Sequence, residues 1–298
     1  MKEIRKILLF LIGSAMLGAA LTPWLFWATQ WLSHHVHWRI LEDMEFHRVF
    51  DRSVLIAALL LLWPTYRSLE LRSVAELGLT RDPRRGRHLM IGFLSAFTCM
   101  AAFGVLLFWL GVFRLKVEPP WTALFKVALT AVTVSLLEEW LFRGMILGFF
   151  RRALMDWPAV ACTSALFSIV HFLKPPADDV GTIDWLSGFR ALPECFGKFS
   201  EPALLAAGFT TLFMIGMALG WGVLRTRALW LSIGLHAGWV FGKFGFTKLT
   251  KRSITDTMPW VGEDLIVGFG ALAVVVCSWL VAWLLTRNAD SQYRHPGR

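Results

Sequence analysis

Two adjacent carboxylates and an arginine, in the run Glu138-Glu139-Trp140-Leu141-Phe142-Arg143, stand inside a stretch otherwise apolar enough to span a membrane. A carboxylate near the bilayer centre costs at least ~3 kcal/mol on insertion scales, so ionisable groups at that depth mark a site with partners. On a helix, residues four apart share a face, and Glu139 precedes Arg143 by one turn in the favourable acid-before-base order. These two are expected to form a structural ion pair. Glu138, rotated about 100° from Glu139 by one helical step, is then directed to the bundle interior. Two histidines fall in neighbouring apolar runs: His171 closes Phe167-Ser168-Ile169-Val170-His171, and His236 lies in Gly234-Leu235-His236-Ala237-Gly238-Trp239-Val240. A lone histidine in a membrane bundle is commonly an interhelical hydrogen-bonder. Two of them with Glu138 make a catalytic set.

A carboxylate with an imidazole can activate water as a general base and return the proton to a leaving amine, while a second imidazole donates a hydrogen bond to the developing oxyanion. This is the equipment for amide hydrolysis. The same Glu138, His171 and His236 could instead hold a divalent metal, zinc foremost, because two histidines and a glutamate are a catalytic-zinc ligand set. The sequence has no His-Glu-x-x-His spacing, but ligands can be gathered from separate helices, and both chemistries stay open at this level.

These residues need a membrane scaffold, and composition supplies it. Of 298 residues 56% are hydrophobic and only 17% charged, with mean hydropathy +0.56; a soluble domain carries about a quarter charged residues. Apolar runs at about 7–31, 53–66, 88–113, 121–150, 156–173, 203–224, 228–246 and 264–286 suit spans of about 20 residues each. The expected fold is an all-α polytopic bundle of about eight transmembrane helices forming one domain over 1–298, with no repeat or flexible linker dividing it. The first run extends apolar through Trp31, longer than a signal-peptide core, and reads as a retained span with a kink expected at Pro23. With eight spans both termini share one side. The excess of Lys and Arg there, from Lys2, Arg5 and Lys6 to Arg287, Arg294 and Arg298, makes that side cytoplasmic, in a plasma or inner membrane.

A net charge of +9 and a pI of 9.8 come mainly from juxtamembrane loops, densest over Leu71 to His88. Anionic lipid head groups, not nucleic acid, are the expected partner. Trp31, Trp38, Trp63, Trp121, Trp157 and Trp260 lie near inferred span ends, as interfacial anchors do. Cys99, Cys162, Cys195 and Cys277 show neither a disulfide framework nor zinc-cysteine spacing. The cluster His34, His35, His37, Glu42, Asp43, Glu45 and His47 fits no compact metal set and reads as an interfacial amphipathic segment. Lys126 is expected to snorkel to the nearer head groups. The connection 174–202, opening with Lys174-Pro175-Pro176 and then Asp178 and Asp179, is too polar to insert and could cap or gate the space between neighbouring helices.

Glu-Glu-x-x-x-Arg at 138–143, Phe-x-x-x-His at 167–171 and the histidine segment at 236–240, in this order on successive apolar runs, resemble the type II CAAX prenyl endopeptidase and bacteriocin-processing (CPBP, or Abi) family of intramembrane proteases. The resemblance spans about 121–245. It implies an eight-helix bundle with an intramembrane polar cavity, Glu138 as water-activating base, His171 as its partner and His236 on the oxyanion side. It also implies a membrane-associated protein or peptide substrate, prenylated CAAX-type or leader-peptide, and favours a glutamate-type enzyme without cofactor over a zinc enzyme. One position departs from the pattern: the family's third motif usually carries Asn or Asp one turn after the histidine, and this chain has Val240. An apolar side chain cannot donate to an oxyanion. The alternatives are therefore a non-catalytic protein of the same fold, acting in immunity or as an adaptor, and, with less support, a proton-relay transporter, for which no inverted repeat is evident.

Overall fold

A computed structural model describes residues 2–36, 44–68, 83–176, 181–255, 257–262 and 265–291. Helices carry the fold: α1 (Lys2–Val36), α2 (Phe46–Ser68), α3 (Arg85–Trp109), α4 (Ala123–Glu139), α5 (Leu147–Ala153), α6 (Asp156–Phe172), α7 (Ser187–Glu194), α8 (Pro202–Thr226), α9 (Trp230–Leu249) and α10 (Phe269–Ser291). Four helical segments among the described residues are long and apolar enough to cross a membrane: Arg5–Val36, Arg85–Trp109, Leu205–Thr226 and Phe269–Arg287. Between α4 and α5 the chain does not stop but widens into a π-helical turn, Trp140–Ile146. The sequence expectation was one uninterrupted helix here; π turns are rare and cluster at functional sites.

The chain divides into two compact units. The first gathers α1, α2 and residues 169–205. Its core sets Ala19 of α1 and Phe46 and Phe50 of α2 against Ala191 and Cys195. Helix α7 lies where only a polar connection was expected. It forms because Ser187, Gly188, Ala191 and Cys195 share one small-residue face, and a Cβ on Gly188 would strike the carbonyl of Ala19. That contact is backbone on backbone.

The second unit holds α3, α4, α5, α8 from Ala206, α9, α10 and α6 as far as Ser168. Its closest seam joins α3 to α9. Gly234 and Gly238, one turn apart, meet the backbones of Leu89 and Phe93, while Gly92 of α3 meets Leu231 and Leu235. In a medium with no hydrophobic drive between helices, small residues that admit close approach supply the association through van der Waals contact. Helix α8 approaches α6 in the same way, with Gly216 on Ser164 and Gly220 on Val160. Met100, Leu219, Trp221, Leu235, Trp239 and Val275 belong to the core of this unit. Just after α9 the chain makes a two-stranded antiparallel ribbon, Phe113–Leu115 with Thr250–Arg252. Arg252 ties it down by donating to the carbonyls of Ile254 at 2.8 Å and Val261 at 3.0 Å.

Candidate active site

Seating α9 on α3 determines where His236 points. His236 is two residues from both Gly234 and Gly238, about 200° around the helix from each, so it projects away from α3. On that side stands α4. The His236 Nδ1 lies 2.9 Å from Glu139 Oε1, and its Nε2 lies 3.8 Å from Glu138 Oε2. One imidazole thus faces both carboxylates, because its two nitrogens sit on different edges of the ring. The sequence assigned the two glutamates to different partners; here Glu139 serves two and Glu138 approaches one of the same.

Glu139 is fully buried, while the Glu138 side chain keeps 23% of its surface. Arg143 Nη1 donates to Glu139 Oε1 at 3.0 Å, with both side chains fully buried. The guanidinium has two further supports: Nη2 donates to the Gly216 carbonyl at 3.4 Å, and its carbon sits 4.5 Å over the Phe167 ring. A cation over an aromatic face is attracted by the ring quadrupole, more strongly once desolvated. Phe167 in turn packs edge-to-face on Phe142 at 5.1 Å and on His236 at 6.2 Å. This explains the aromatic residue one turn before His171: it roofs the ion pair. The Gly216 carbonyl was not foreseen as part of the site. Gly216 and Gly220, spaced by four on α8, were the signal available for it.

His171 ends α6 one turn beyond Phe167 and is half-buried. It falls in the first unit, whereas Glu138, Glu139, Arg143, Phe167, His236 and Val240 fall in the second. Val240, half-buried, follows His236 by one turn on the same face of α9. The neighbouring Trp239 points elsewhere, its indole N–H donating to Ser278 Oγ of α10 at 3.2 Å.

Two carboxylates against one guanidinium leave one negative charge in surplus unless His236 carries a second proton. Glu139, bonded by Arg143 on the same oxygen that faces His236, is an acceptor only, so Nδ1 must bear a hydrogen. The tautomer is thereby defined: with a neutral ring Nε2 accepts, and with a protonated ring Nε2 donates, in either case toward the Glu138 side. Among the described residues no group of three or more His, Cys, Asp and Glu is placed to hold a metal ion.

Residues 119–242 match the family model described as Rce1-like, type II CAAX prenyl endopeptidase. The chain carries an Rce1-like domain. The match nearly coincides with the stretch on which the resemblance was read, and the Rce1-like domain contains Glu138, Glu139, Arg143, Phe167, His171, His236 and Val240. Helix α3, the seat of α9, lies upstream of it. No curated protein matches the chain. The Rce1-like domain and the four helices fit to cross a bilayer together make this a membrane protein.

Of the upstream His/acid cluster, His37, Glu42 and Asp43 lie outside the described residues. Within them, Glu45 pairs with Arg48 at 3.2 Å and lies 3.6 Å from His47, and His35 Nδ1 contacts the Trp31 carbonyl at 2.8 Å. Trp38, most of the basic patch 71–88, Asp178, Asp179, Arg294 and Arg298 also lie outside. Trp31, Trp63, Trp121, Trp157 and Trp260 are each at least half exposed.

Proposed function

We propose that this protein is an intramembrane endopeptidase that hydrolyses a peptide bond in a membrane-associated substrate, a CAAX-type prenylated protein or a leader peptide, by activating water with Glu138. The observation that carries the reading is His236 set between two carboxylates inside an Rce1-like domain. Glu138 keeps exposure enough to meet water, and as a carboxylate it can accept a proton. In this role the proton moves from water to Glu138, the resulting hydroxide attacks the carbonyl, and the same carboxyl passes the proton to the leaving amine. His171 is the partner of Glu138.

For His236 to bind the oxyanion, Nε2 must carry a hydrogen while Nδ1 donates to Glu139. The ring then works as the imidazolium, held by Glu139, with Arg143 and Phe167 holding Glu139. We favour a glutamate-type mechanism over zinc on the family resemblance; the Nδ1 bond to Glu139 leaves Nε2 open to either chemistry. If a metal is used, Glu138, His171 and His236 are its ligands.

We place this core, 121–245, in a single membrane domain of about eight spans enclosing a polar cavity, with both termini cytoplasmic in a plasma or inner membrane and the basic loops on anionic lipid. The second reading, a non-catalytic member of the same fold serving immunity or as an adaptor, draws on Val240. The deciding experiment compares cleavage products by proteomics between the wild-type protein and Glu138→Gln: peptide termini present only with the wild type support the protease, and identical profiles reject it.

A further inference from the structure

The first unit carries a row of outward apolar side chains that its own packing leaves uncovered. Trp185 and Leu186 precede α7, and Phe196 and Phe199 follow it; Trp185 and Leu186 expose 58% and 60% of their surface, Phe196 58%. Helix α7 has already spent its small-residue face on α1 and α2. Trp185 is edge-to-face with both Trp24 and Trp27 of α1, at 4.6 Å in each case. Asp184 and Arg190 pair at the start of α7, so the segment presents the bilayer with a neutralised acid.

Depth along α1 identifies the partner. A rise of 1.5 Å per residue puts Trp24 about 27 Å from Lys6, close to the roughly 30 Å hydrocarbon thickness. If Lys6 stands at one head-group level, Trp24, Trp27 and Trp185 stand at the other, where amphipathic indoles accumulate. Ala19, on which Gly188 rests, lies five residues or about 7 Å nearer the bilayer centre than Trp24. Interfacial helices bury their apolar side chains about 5–10 Å into the head-group boundary.

We infer that residues 183–199 form a membrane-docked interfacial segment, seated in the head-group and upper acyl region of the leaflet opposite the N-terminus, with Trp185, Leu186, Phe196 and Phe199 as its anchors. This differs from a soluble cap. The lipid contact is apolar, so zwitterionic lipid suffices.

The test places nitroxides singly, by Leu186→Cys or Phe196→Cys in an otherwise cysteine-free full-length protein, in phosphatidylcholine nanodiscs. Both should collide more with oxygen than with a water-soluble nickel chelate, while a label at exposed Arg151 should show the reverse. Labels at 186 and 196 as accessible to nickel as that at 151 would overturn the proposal. So would spin-spin broadening that disappears on dilution with unlabelled protein, because a second copy would then cover the surface. Should removal of the buried Cys195 prevent folding, Trp185→Phe alone suffices. The fluorescence it removes should be quenched by lipids brominated near the ester end of the acyl chain and spared by aqueous iodide; the opposite pattern overturns the assignment.

Discussion

Glu139 Oε1 receives hydrogen bonds from two different helical segments, and this separates the expected phenotypes of three neighbours. Arg143→Ala leaves a carboxylate buried without its cation and should cost about 3–5 kcal/mol of stability, read as a lowered melting temperature in detergent. Glu139→Gln keeps shape but removes the charge that holds a protonated His236. Its kcat should fall while KM changes little, and its melting temperature should also drop, because the buried Arg143 loses its counter-charge. Glu138→Gln should nearly abolish hydrolysis without impairing folding or substrate capture. Activity of the wild type should survive chelation; loss on chelation with recovery on adding zinc would transfer Glu138, His171 and His236 to the ligand role. Val240→Asn restores a donor one turn from His236. Since losing one oxyanion donor costs on the order of 100-fold, gaining one should raise kcat with KM unchanged. No cleavage by either Val240→Asn or the wild type across a broad panel of membrane-associated peptides would favour the non-catalytic reading.

At the scale of elements, the α3–α9 seam and the α1–α7 seat both rest on glycines against carbonyls. Gly238→Val would drive side-chain atoms into the Phe93 carbonyl and should abolish folded protein in a size-exclusion assay, since the obstacle is backbone that cannot rotate away. At the first unit's surface, the hydrogen bond from Arg190, with further bonds from the Leu186 amide and Ser187 hydroxyl, holds the Asp184 carboxyl down at about 2 from an ordinary 3.8. A carboxyl lowered on folding contributes above its unfolded value and loses that contribution as pH falls through the folded one. Loosening of the turn that starts α7 is therefore expected as pH drops from about 4 toward 2, followed by Trp185 emission, with Asp184→Asn showing the same change already at neutral pH while α7 stays seated on α1.

Seen whole, the molecule divides what the sequence could say from what it could not. The Glu139–Arg143 pair was legible in a four-residue spacing, because i,i+4 geometry is local. The all-helical membrane character was legible in apolar run lengths for the same reason. His236 reaching Glu139 across 97 positions was not, since it depends on glycines turning α9 and on a π turn that no propensity signals. Helix α7 escaped notice because its inward face is built of small residues, which hydropathy passes over. The Lys and Arg asymmetry makes a claim about the whole chain: a reporter fused at either end should be active on the cytoplasmic side only. Activity of an N-terminal fusion on the other face would invert the topology.

The widened turn at Trp140–Ile146 has a genetic corollary. A π turn accommodates one residue more than the α-helix would use over the same length, so an in-frame loss of a single codon within 140–146 would let the helix run on as regular α. Everything upstream would then be rotated by about 100° relative to everything downstream. Glu138 and Glu139 could not face His236 while α5 kept its present packing. No chemically important side chain need be lost for this to happen. In a random deletion library, single-codon deletions at 144–146, which keep the Glu139–Arg143 spacing, should therefore silence the protein as thoroughly as replacing Glu138, while leaving abundance in the membrane closer to normal than Arg143→Ala does.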